Sequence, residues 1–311
     1  MQRVGGMRTI RLVVEYDGTG YCGWQRQSGA ASAGAPSVQA TLEAAVREIA
    51  GEPAAVTGAG RTDAGVHACG QVACFATTSR IPADRFPAAL NAHLPADIRV
   101  LGADEVPERF HPRFDALARA YRYEILNRPA PSALLRHRAY HVPEPLDVEA
   151  MQRALAAFLG RHDFAAYHGV GSNPKTTTCT VLDAAWQRSG DRVTLTITAD
   201  RFLRHMVRIL VGTLVRVGTG RLPVAAPGEF LADPTSRRAG PTAPPHGLYL
   251  VRVHYDRAGL PGAGGPARSV RSETAPARDA GPRCPACGAG MFTVWCRLRC
   301  PRCGYFEGCE D

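Results

Sequence analysis

Residues 58–67 read Gly-Ala-Gly-Arg-Thr-Asp-Ala-Gly-Val-His. Gly58, Gly60 and Gly65 permit a tight backbone path and close approach of a ligand. Arg61, Thr62, Asp63 and His67 crowd that path with a cation, a hydroxyl, a carboxylate and an imidazole. Catalytic groups concentrate on loops held by a rigid scaffold, and this loop carries several suited to the task. The same residues also fit a surface turn in which Asp63 bonds its neighbouring backbone.

A second cluster lies near the carboxyl end. Cys284-Pro-Ala-Cys287-Gly and Cys300-Pro-Arg-Cys303-Gly are two knuckles about a dozen residues apart. The chain has 10 cysteines, of which six follow residue 283. Without a secretory context such clustering suggests a metal rather than disulfides. Four thiolates suit a closed, tetrahedral structural Zn²⁺ held by Cys284, Cys287, Cys300 and Cys303. A segment this short has too little core to fold without such a centre. Cys296 and Cys309 are spare thiols or substitute ligands.

A third pattern misleads. Gly18-Thr19-Gly20-Tyr21-Cys22-Gly23 fits a dinucleotide fingerprint, with Glu43 at a suitable distance. The helix should then begin at the glycines, but a Gly/Ala/Ser/Pro stretch over 28–36 intervenes. There is no phosphate-cradling Walker pattern, so no nucleotide cofactor is expected.

The formal net charge is +9 and the pI about 9.3, which favours a polyanionic partner such as RNA. A soluble protein of Arg-rich composition would show the same total. No apolar run approaches a membrane span, and the amino terminus lacks a signal-peptide core, so a cytoplasmic protein is expected.

The elements that must position these groups follow from periodicity. Alternation marks strands over 10–16, 71–77, 120–126, 178–187, 192–198 and 248–255. Ser37 caps a predicted helix over 38–50 that stops at Gly51; further helices are predicted over 82–93, 148–159 and 203–217. The strand–helix order occurs roughly twice. It predicts an α+β protein of two similar α/β domains, 1–110 and 111–256, with a hinge near 107–115. Residues 257–282 read as a Gly/Ala/Pro/Arg linker before a zinc ribbon over 283–311.

Five segments, in order, resemble the tRNA pseudouridine synthase A family: YDGTGYCGWQRQ, GAGRTDAGVHACGQVACF, FHPRFDALARAYRYEI, RFLRHMVRILVGTLVRVG and APPHGLYL. The resemblance runs from about Arg8 to Tyr255. It implies the pseudouridine synthase fold, with mainly antiparallel sheets flanking a basic central cleft. It implies isomerisation of uridine at tRNA positions 38 to 40, by a homodimer, with no catalytic cofactor. Asp63 matches the essential aspartate, thought to attack either the ribose C1′ or the uracil ring. Arg208 matches its basic partner, Tyr121 a tyrosine that stacks on the base and helps with the C5 proton, and Leu248 a residue on the opposite uracil face. Arg61 matches a residue that assists base flipping. Arg26, Arg113, Arg119, Arg122 and Arg204 are expected to add to the RNA-facing surface. The zinc ribbon departs from the family.

Two other functions compete. A zinc deaminase needs H-x-E and P-C-x-x-C together, and the chain lacks that signature. A non-enzymatic RNA-binding or RNA-folding protein would keep the basic surface and the ribbon without needing Asp63 or Arg208.

Overall fold

The computed structural model describes residues 6–26, 34–169, 171, 174–234 and 239–261, and beyond these only the short strands 292–294, 297–299 and 306–307. Contacts divide the chain into Met1–Gly264 and Gly265–Asp311.

The larger unit is built on one sheet. In chain order its elements are β1 (Arg8–Tyr16), α1 (Val38–Ala50), β2 (Thr57–Gly58), β3 (His67–Thr77), α2 (Phe86–His93), β4 (Ile98–Val106), β5 (Ala118–Asn127) and β6 (Tyr140–Val142). There follow α3 (Val148–Leu155), β7 (Gly160–Asp163), β8 (Thr178–Ser189), β9 (Arg192–Ala199), α4 (Met206–Gly218), α5 (Ala226–Ala232) and β10 (Leu248–His254). The strands run β4-β1-β3-β10-β5-β9-β8-β7, with β2 on β3 and β6 on β5. The pairs are antiparallel except β10 with β3 and β5 with β6. The expected two sheets are therefore one. The closing strand β10 leaves the second half and inserts beside β3 of the first, bonding to both β3 and β5.

Two apolar clusters lie along this sheet. One packs Ile10, Leu12 and Val14 of β1 against Leu42 and Val46 of α1 and Phe86 and Leu90 of α2. The other packs Tyr123, Ile125, Leu195 and Ile197 against Met151 of α3 and Leu210 and Leu214 of α4. Each large aliphatic side chain so buried contributes about 1.5–3 kcal/mol. Ser37 accepts from the Ala40 amide at the start of α1, and Gly51 ends it in the left-handed conformation at φ +70°.

The predicted helix over 203–217 begins instead at Met206, because His205 turns left-handed at φ +61° and breaks the helical path before it. The helix predicted over 82–93 opens with a short 3₁₀ turn at Ala83–Arg85, and that over 148–159 ends in another at Ala156–Phe158. The smaller unit shows β11 (Phe292–Val294), β12 (Arg297–Arg299) and β13 (Phe306–Glu307) as an antiparallel ribbon in that order.

Candidate active site

The loop 58–66 ends where β3 begins, and β3 lies parallel to β10, with Tyr249 opposite His67. The loop and the first residues of β10 thus share one end of the sheet. The loop is held from several sides. The Tyr16 hydroxyl meets Thr62 Oγ1 at 2.8 Å, and Trp24 N donates to the Thr62 carbonyl at 3.1 Å. Gln71 Nε2 donates to Gly60 O at 2.8 Å, and Arg119 Nη2 to Ala59 O at 3.3 Å. Ala59 N reaches Val72 O at 2.8 Å.

The glycines of the misleading fingerprint serve this clamp. A Cβ on Gly18 would run into the Val66 carbonyl, and one on Gly23 would fall 2.6 Å from Thr62 O. Gly23 also has φ +107°, a conformation that residues with a side chain rarely adopt. These positions are glycine because the loop lies against them.

Asp63 projects from the clamped loop, with its side chain 31% exposed. Arg208 Nη1 donates to Asp63 Oδ2 at 2.9 Å, joining residues 145 positions apart. Arg208 is itself fixed: its Nε donates to Ala243 O at 2.8 Å, and Ala243 N donates back to Arg208 O at 3.0 Å. That exchange needs the segment 240–243 to lie tightly on α4, which Gly212 permits because a Cβ there would strike the Pro241 carbonyl. His205 Nε2 lies 3.5 Å from the same Asp63 Oδ2. Burial holds the His205 pKa below its ordinary value; Asp63 opposes that shift, and Arg208, Arg204 and His168 add to it.

Tyr121 stands on β5 opposite Leu250 of β10 and Ile197 of β9. Its ring meets Phe202 edge-on at 5.0 Å, and a Cβ on Gly60 would lie 3.9 Å from its hydroxyl. Burial pushes the Tyr121 phenol up to about 12, helped by the charge of Asp63, so at neutral pH it keeps its proton. Leu248, 6% exposed, opens β10 opposite Tyr123. Arg61 is exposed and shares a recess of about 220 Å³ with Trp24, Gln39, His111, Arg113 and Phe114. Arg26 reaches Glu43 at 3.3 Å, and Arg204 is exposed beside His205.

Two of the expected RNA-facing arginines are placed otherwise. Arg119 is spent on the carbonyls of Ala59, Arg113, Ala116 and Asp200, so it braces the loop. Arg122 follows Tyr121 on the strand and faces the other side of the sheet, with its guanidinium 4.9 Å from the Tyr249 ring centroid. Sequence pattern alone does not mark Tyr16 and Gln71 as clamp residues, nor the contact of His205 with Asp63. Cys284, Cys287, Cys300 and Cys303 lie outside the described residues.

The arrangement is a carboxylate held by a guanidinium, with a partly buried tyrosine nearby and an exposed arginine on the same loop. It offers a fixed, partly exposed carboxylate near the ring of Tyr121. The sequence profile described as tRNA pseudouridine synthase matches residues 12–115 and 154–256. A tRNA pseudouridine synthase A of Acetivibrio thermocellus is 49% identical over 249 residues, 80% of this chain and 100% of that protein. Its counterpart in Thermoanaerobacter sp. (strain X514) is 42% identical with the same coverage of both chains. So is the protein named tRNA pseudouridine synthase A 2 in Clostridium perfringens, at 42%.

Proposed function

The chain belongs to the tRNA pseudouridine synthase A family, and from that premise we propose how its residues divide the reaction. The protein is an isomerase that converts uridine to pseudouridine in the anticodon region of tRNA. The proposed targets are uridines at positions 38 to 40. The observation that carries the assignment of residues is the 2.9 Å bond from Arg208 to Asp63 at the end of the shared sheet.

Asp63 is the nucleophile. Arg208 pairs with its carboxylate and fixes one oxygen. Asp63 attacks the ribose C1′ or the uracil ring, the N-glycosidic bond breaks, the base turns in its pocket, C5 bonds to C1′ as the bond to Asp63 breaks, and the proton lost from C5 is balanced by one gained at N1. Isomerisation conserves every atom of the nucleotide apart from proton exchange, and it needs no redox cofactor. Tyr121 packs on the base and handles the C5 proton; its protonated phenol suits the stacking part of that role. Leu248 closes the opposite, apolar side of the uracil. Arg61 fills the space left by the flipped nucleotide, supported by its exposure and by the shared recess with Arg113. Arg26 and Arg204 contact the RNA backbone.

The carboxyl-terminal ribbon adds a structural Zn²⁺ on Cys284, Cys287, Cys300 and Cys303. The spacing of the two knuckles supports this, as does the antiparallel β11–β13 ribbon in the same segment. The enzyme acts as a homodimer, a reading supported by the family resemblance.

Pseudouridine mapping on unmodified tRNA transcripts tests the activity. New pseudouridine in the anticodon arm is the expected result. A panel of tRNAs that all bind and all stay unmodified would refute it.

A further inference from the structure

His205 adopts a backbone conformation that calls for a cause. It is the only non-glycine with positive φ among the described residues, at +61°. The left-handed region is costly for a residue with a Cβ, and such outliers gather at functional sites. His205 precedes α4 in the capping position, yet its side chain makes no capping bond. The turn aims the ring at Asp63 instead, with Nε2 3.5 Å from Oδ2.

The ring also has a slot made for it. A Cβ added to Gly169 would lie 2.6 Å from His205 Nδ1 and 2.9 Å from its Cγ. Gly169 N donates to Arg204 O at 2.9 Å, which ties that glycine to the start of α4. The slot therefore fits an imidazole only while position 169 lacks a side chain.

Arg208 and His205 converge on one carboxylate oxygen, Oδ2. Asp63 Oδ1 has no hydrogen-bond partner among the described residues. We propose that His205 is a positioning residue for the nucleophile: its imidazole braces Oδ2 together with Arg208, so that Oδ1 stays free for attack. This rests on the assignment of Asp63 as nucleophile. The depressed pKa of His205 favours a neutral ring at neutral pH, and in the tautomer protonated at Nε2 it presents a donor to Oδ2 without adding a second full charge. Contacts of this kind are commonly long in the free enzyme and tighten with substrate bound.

The test is single-turnover kinetics on tRNA, with thermal unfolding of each variant. The variants are His205→Leu, His205→Gln, Gly169→Ala and Asp63→Asn. Leucine and glutamine meet the same left-handed backbone cost, so their difference isolates the donor. His205→Leu is expected to lower the rate about ten-fold or more, with half-saturating tRNA changed less than about two-fold. His205→Gln recovers most of the rate. Gly169→Ala displaces the ring without changing any group at Asp63, and it lowers the rate as leucine does. A wild-type rate in the leucine or alanine variant would overturn the proposal, as would an equal loss with leucine and glutamine. Turnover by Asp63→Asn would instead overturn the nucleophile assignment itself.

Discussion

Asp63 and Arg208 come from a loop and a helix 145 positions apart, and what joins them is one bond of 2.9 Å. A hydrogen bond to a charged group is worth about 1.5–3 kcal/mol, so the guanidinium is a large fraction of what holds the carboxylate. Arg208→Lys keeps the charge but loses the fork that bonds Asp63 and Ala243 together. Its turnover is predicted to fall about 10–100-fold while the chain stays folded, measured by single-turnover rate and circular dichroism. An unchanged rate would show that any cation serves. Residue types and spacing made the loop 58–67 conspicuous, but its pairing with Arg208 came only from resemblance. No local pattern reports a contact made by the return of the chain across the sheet. The brace from His205 was invisible for the same reason, since a histidine in an apolar helical stretch looks like any packed imidazole.

The elements divide by how far each explains itself. β1, α1, β8 and β9 read correctly because alternation or helical spacing reached from end to end and caps marked their limits. β4 escaped notice. It is an edge strand with Gly102 inside it, and Asp104 and Glu105 depress its β character. Those acids are paired across the strand, with Arg11 at 2.7 Å and Arg8 at 3.2 Å, a common way to blunt an edge. The start of β3 at His67 also went unread, because its first residues are set by the parallel partner β10. The clamp on the loop makes a prediction at this scale. Gly23→Ala places a Cβ 2.6 Å from Thr62 O at φ +107°, so the loop must move. Stability should fall by about 1–3 kcal/mol in denaturant titration, and turnover should fall with it. A variant as stable and active as wild type would mean the loop is not held by that approach.

The whole molecule gains its site by merging two halves into one sheet. The two-domain expectation anticipated the repeated strand–helix order, but β10 crosses between the halves and no periodicity announces that. The fold also takes four histidines wholly or partly out of solvent. His67, His205, His246 and His254 all have pKa values lowered chiefly by burial. The folded chain then binds fewer protons than the unfolded chain just below the ordinary value of about 6.5. Their stabilisation is present above that value and is lost as pH falls through the lowered values. The thermal midpoint is predicted to drop between about pH 7 and about pH 5, more steeply than in His67→Gln. A midpoint that holds or rises would contradict the burial seen here. Removal of 265–311, a separate unit outside the matched family segment, should leave isomerisation intact and weaken tRNA binding. Loss of turnover in a folded 1–264 chain would place part of the active site in the tail.

The most direct measurement compares wild type with Asp63→Asn on the same unmodified tRNA, mapping pseudouridine and measuring binding in parallel. Asparagine keeps the shape of the side chain but removes its charge and nucleophilicity. Pseudouridine in the anticodon arm with wild type alone, at comparable tRNA affinity, is the predicted result. Pseudouridine formed by Asp63→Asn at a similar rate would contradict the central claim.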